Sequence, residues 1–94
     1  GQAGCLEDKP VIIAGDLLTA GLVPDEATAI TIARAILIKI YGQQTIDSEE
    51  PFRAELENCV WTVTGFLPKN TLGGVAIIKL SKSDSRVLFV NHGK

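Results

Sequence analysis

The segment from Asp25 to Gly42 constrains the fold more than any other part of the chain. Asp25 is a residue type that caps helices by accepting from first-turn backbone N–H groups; Pro24 precedes it, and Glu26 sets a carboxylate against the positive helix end. Apolar Ala29, Ala33, Ile36, Leu37 and Ile40 recur at steps of three and four, with Ile30 and Ile38 widening the stripe. Thr28, Thr31, Arg34 and Lys39 fall outside it. Gly42 after Tyr41 suits a left-handed C-cap. The pattern predicts one amphipathic helix over 26–41, and its apolar face must be buried against something.

The C-terminal half of the chain supplies that partner. The polar stretch Gln43 to Pro51 reads as a connecting loop carrying Asp47, Glu49 and Glu50. Beyond it the period falls to two: Phe52, Ala54 and Leu56 alternate with Arg53, Glu55 and Glu57, a strand with one buried and one wet face. The run Cys59 to Phe66 answers it as a second strand, with the hairpin turn around Glu57-Asn58, where Asn tolerates left-handed backbone. Trp61 on that strand reads as core packed against the helix before it reads as a partner anchor. After the loop Pro68-Lys69-Asn70, Gly73-Gly74 opens a strand to Leu80, with Gly74 marking a bulge or a close backbone approach. Ser81 to Ser85 forms a turn, and Arg86 to Val90 the last strand. Val75 and Ile77 lie on one face of this pair and Ala76, Ile78 and Leu80 on the other. One helix covers only one face, so the second meets either the Pro10 to Val23 segment or a partner. The fold expected is α+β: a curved four-stranded antiparallel sheet packed on one long helix.

At 94 residues the chain is one domain, with residues 1–9 as a flexible leader and 10–94 as the folded unit. The apolar block after Pro10, with Ile13, Leu17 and Leu18 at helical spacing, predicts a short N-terminal helix, although its β-branched run equally suits a strand. Apolar stretches fall well short of the roughly 20 residues that cross a bilayer, so no membrane insertion is expected. A formal charge of −2 lacks the basic signature of a nucleic-acid binder. The two cysteines, Cys5 and Cys59, have neither metal nor CxxC spacing, which leaves a disulfide or two unpaired thiols. Ala3-Gly4-Cys5 also has the form of a lipobox end, but Gln2 stands where that signal wants an aliphatic residue.

No catalytic set emerges. His92, the single histidine, has no Ser or Cys nucleophile near it in the sequence, and structural or interface use is the stronger reading. Among Asp47, Glu49, Glu50, Glu55 and Glu57, a buried general base is conceivable in principle, but alternation puts Glu55 and Glu57 in solvent. There they form either a plain solvated face or an acidic patch that steers a basic partner. Gly73-Gly74 precedes no helix and lacks the Lys-Ser/Thr of a phosphate loop. No metal site and no cofactor is expected.

Three stretches carry a resemblance: Val23-Pro24-Asp25-Glu26-Ala27-Thr28-Ala29-Ile30 continuing to Tyr41-Gly42, the hairpin Pro51 to Trp61, and the end from Gly73-Gly74-Val75 to His92-Gly93-Lys94. Together they resemble the NTF2-fold immunity proteins of bacterial polymorphic toxin systems, over roughly Val23 to Lys94. Cys59 departs from the family's pattern, in which Asn-Gly is the natural pair after Glu57. The resemblance implies a reduced NTF2 or cystatin-like arrangement and a non-enzymatic protein that binds a cognate toxin and protects the producing cell. Its expected partner-binding residues are Arg53, Glu55, Glu57, Trp61 and His92, with a homodimer through the free sheet face as a further possibility. A rival reading is a small ligand-binding or isomerase-like protein, which needs a deep apolar pocket and an inward carboxylate. The bare start at Gly1, the two cysteines and the signal peptides of resembling members favour the periplasm over the cytoplasm.

Overall fold

Helix α1, Glu26–Tyr41, forms where its caps and stripe demand it. The Asp25 side chain accepts from the Thr28 N–H at 2.8 Å, a bond that also holds its carboxyl below the ordinary value. At the other end Gly42, at φ 98°, donates its N–H to the Ile38 carbonyl at 2.8 Å. The buried seam is narrower than the stripe: Ala29, Ala33 and Leu37 are fully enclosed, whereas Ile40 is exposed. Two alanines one turn apart let the helix lie close on the sheet. The structure, a computed structural model, describes residues 11–13, 16–18 and 21–93.

The segment expected as a loop after Gly42 contains a second helix, α2, Gln43–Asp47. Its five residues include one apolar side chain, Ile46, which is fully buried; a single apolar residue sets no period, so no helical signal shows in the sequence. The short N-terminal helix is also corrected. Val11–Ile13 and Asp16–Leu18 are strands β1 and β2, paired antiparallel with Val11 opposite Leu18. The β-branched run Val11-Ile12-Ile13 favours extended backbone over the helical spacing of 13, 17 and 18. The leader and Cys5 lie outside the described residues.

The main sheet holds β3 (Arg53–Glu57), β4 (Val60–Thr64), β5 (Ala76–Ser81) and β6 (Val87–His92), antiparallel and in chain order. The β3–β4 turn is Asn58-Cys59, with φ of 51° and 64°, the two left-handed positions of a type I′ hairpin. Cys59 therefore occupies a turn position, not a strand. Strand β6 starts one residue later and ends two later than the sequence indicates, which brings His92 into the sheet. Lys79 pairs with Phe89 but Leu80 with Val87, so Leu88 is the extra residue of a bulge.

Alternation assigns the faces. Leu56, Trp61, Val63, Ala76, Ile78 and Leu80 turn toward α1 and join Val23, Leu37, Ile46 and Phe52 in one core. Each fully buried aliphatic there contributes about 1.5–3 kcal/mol relative to exposure. The other face carries Arg53, Glu55 and Glu57 on β3, Thr62 and Thr64 on β4, Ile77 and Lys79 on β5, and Phe89 and Asn91 on β6.

Candidate functional site

The expected site residues separate into three places. Arg53, Glu55 and Glu57 stand exposed in one row on the outer face of edge strand β3. Register extends the row across the sheet: Glu55 lies beside Thr62, then Lys79, then Phe89. Trp61 does not join it. Its partner in the register is Leu56, which faces the helix; the indole is 6% exposed and its Nε1–H donates to the Val23 carbonyl at 2.7 Å. A side chain so enclosed offers a partner almost no area. His92 lies on β6 at the opposite edge, paired with Ala76 on the helix side.

The carboxylates divide as well. Arg34 forks between Asp47 at 2.7 Å and Glu50 at 2.5 Å, and its guanidinium sits 6.0 Å from the Phe52 ring centroid. The hydrogen bond from Arg34, with a second from Gln43, holds the Asp47 carboxyl below its ordinary value. Glu55 and Glu57 remain as the solvated acids of the β3 row.

Glu49, just after α2, is a buried carboxylate in a stretch whose polar composition reads as solvated loop. Its Oε1 accepts the Ala76 N–H at 2.7 Å, its Oε2 lies 2.7 Å from His92 Nε2, and its backbone carbonyl accepts the Phe66 N–H at 2.7 Å. The other ring nitrogen, Nδ1, is 2.7 Å from the Gly93 carbonyl oxygen. A carboxylate and a carbonyl both accept only, so the arrangement is fully hydrogen-bonded when both ring nitrogens donate, that is, when the imidazole is protonated. The hydrogen bond to Glu49, reinforced by the one to Gly93, accordingly raises the His92 pKa above 6.5. Tyr41 packs its ring 5.0 Å from the imidazole. With both nitrogens engaged, this pair fastens the segment after α2 to the last strand and has no ring nitrogen left for a substrate.

Two glycines make the arrangement possible. A Cβ on Gly65 would come 2.6 Å from Glu49 Oε1, and one on Gly74 would collide with the Gly93 backbone. The close approach expected at Gly74 is thus between the two chain segments at the sheet's end. Near Gly65 an open cleft of ≈ 250 Å³ is lined by Pro51, Arg53, Gly65, Phe66 and Leu67. Among the described residues no group of three or more His, Cys, Asp or Glu is placed to hold a metal, and no helix is long and apolar enough to cross a membrane. Cys59 is disulfide-bonded.

A family model described as NTF2 fold immunity protein matches residues 28–94, which covers most of α1, α2 and the whole main sheet. The chain is also similar to a protein of Escherichia coli strain K12 named "Uncharacterized protein YhhH", 32% identical over 81 residues, covering 85% of this chain and 64% of that protein. The chain therefore spans just under two thirds of that relative's length. No solved structure matches it.

Proposed function

Because the chain belongs to the NTF2-fold immunity protein family, we propose that it binds a cognate toxin of a bacterial polymorphic toxin system and blocks it, sparing the cell that makes both. The observation that carries this reading is the family match over the helix and all four strands of the main sheet. Membership points to a role without catalysis, and the Glu49–His92 pair supports it because its polar atoms are already engaged with each other and with backbone.

The mechanism is occlusion by a surface. The outer sheet face presents Arg53, Glu55 and Glu57 at one edge, and no helix among the described residues crosses it, so it supplies a contact area whose charges steer a partner's approach. A periplasmic setting fits the disulfide at Cys59, since such bonds persist in oxidising compartments.

The test is capture with the full chain as bait from lysate and secreted fractions of the source bacterium, followed by titration of what is retained. One protein bound at nanomolar Kd, whose toxicity in a bacterial host is cancelled by this chain, bears the proposal out. A retained small molecule with no protein partner moves the weight to a ligand-binding role. Concentration-dependent mass of the chain alone indicates a homodimer. Charge reversal at Glu55 and Glu57 with unchanged affinity removes the β3 row from the interface.

A further inference from the structure

We propose that the loop between β4 and β5, residues 65–75, is the anchor that enters the toxin, and that it fits an apolar pocket rimmed by carboxylates. The inference rests on the immunity reading and names the part of the chain that performs it.

Three large apolar side chains on this loop face water: Phe66 is 48% exposed, Leu67 38% and Leu72 98%. Single exposed leucines are ordinary, but three such residues within one connection, around Pro68, are a concentrated apolar element. Nothing in the packing of the described residues accounts for Leu72, which touches almost no protein surface.

The loop is also held at both ends. The Gly65 N–H donates to the Ala76 carbonyl at 3.0 Å, the Phe66 N–H to the Glu49 carbonyl at 2.7 Å, and the Ala76 N–H to Glu49 Oε1 at 2.7 Å. Within it the Thr71 N–H donates to the Pro68 carbonyl at 3.2 Å, with Asn70 at φ 66°, a closed turn. The Glu49–His92 pair thus fixes both roots of the loop, and a loop held before binding loses less entropy on binding. That gives the buried pair a purpose beyond stability: it aims the loop.

Charge selects the partner's chemistry. Lys69 is the one charged residue between 65 and 75, and Arg53 lines the cleft beside Phe66 and Leu67. Among the described residues neither forms an ion pair, in a chain whose net charge is −2. An apolar loop with one unpaired cation in its turn and another beside its root complements a pocket of apolar floor and acidic rim.

The test titrates the full chain and its variants against the toxin identified by capture, with protection of a bacterial host as a parallel readout. Leu72→Asp is expected to weaken binding by about 30-fold or more, as a central apolar anchor does, with an unchanged thermal midpoint. Lys69→Glu is expected to slow association and reduce its salt dependence. Ile40→Asp makes the same exposed apolar-to-acid change on α1 and is expected to leave binding intact. Affinity of Leu72→Asp and Lys69→Glu within about threefold of wild type, with wild type still protecting, overturns the loop and leaves the immunity reading standing. Failure of the wild-type chain to neutralise any toxin overturns both.

Discussion

Glu49 carries three contacts at once, and its role is not legible in the sequence because each partner is remote: Phe66, Ala76 and His92. A carboxylate among Asp47, Glu49 and Glu50 reads as solvated until the fold brings His92 to it from the far edge. The charge alternation of Arg53, Glu55 and Glu57, by contrast, is legible, since period two needs only local residues. The same alternation, with the turn at Asn58-Cys59, puts Trp61 opposite Leu56 and therefore inside. For His92 the sign is settled by its neighbours. The facing groups are Glu49 after α2, the Tyr41 ring from α1 and the Gly93 carbonyl, and the hydrogen bond to Glu49 leads in raising the pKa above 6.5. A raised folded value means the contribution to stability is fully present below the unfolded pKa near 6.5 and is lost as pH rises through the folded value. The His92 ring-proton titration by NMR is expected to have its midpoint above 6.5 and to fall in Glu49→Gln; a midpoint that ignores this substitution refutes the pair. Glu49→Ala is expected to cost about 1–3 kcal/mol or more in urea unfolding, because it strands the Ala76 N–H and the imidazolium.

At the scale of elements, legibility follows length and locality. Helix α1 is readable because its caps and its stripe agree along sixteen residues. Helix α2 is not, because one buried Ile46 sets no period. The β1–β2 segment imitates a helix because Ile13, Leu17 and Leu18 match helical spacing, while the β-branched run Val11-Ile12-Ile13 decides for extended backbone. The seam between α1 and the sheet has little slack. Leu37 is fully buried one turn beyond Ala33, so Leu37→Ala is expected to cost about 2–5 kcal/mol by denaturant unfolding. The contact between the segment before β5 and the residue after β6 is tighter still: Gly74→Ala drives a Cβ into the Gly93 backbone, which no rotamer relieves. Overpacking of this kind costs about 1–3 kcal/mol, and hydrogen exchange at Gly93, whose N–H donates to the Val75 carbonyl, is expected to rise in the variant. Unchanged exchange at this amide means the backbones do not meet.

For the whole molecule, stability and setting are one question. A chain of 94 residues has on the order of 5–10 kcal/mol of net stability. The disulfide at Cys59 pins the tip of the β3–β4 hairpin, and Cys5, the other cysteine of the chain, is its expected partner; that pairing closes a loop covering α1, α2 and β3. Closing a loop of that length removes about 4 kcal/mol of unfolded-state entropy in the chain-entropy model, a large part of the total. At about 4–8 °C per kcal/mol for a domain of this size, reduction is expected to lower the thermal midpoint by roughly 15–30 °C. A fold that depends on one bond to this extent would persist best in a compartment that keeps disulfides oxidised, which is the physical basis for proposing a periplasmic setting. Thermal unfolding with and without reductant, alongside the Cys59→Ser variant, measures this directly. Reductant and variant are expected to agree within a few degrees of each other, and a fall of under about 4 °C, less than 1 kcal/mol by the same conversion, removes the physical argument for a periplasmic protein.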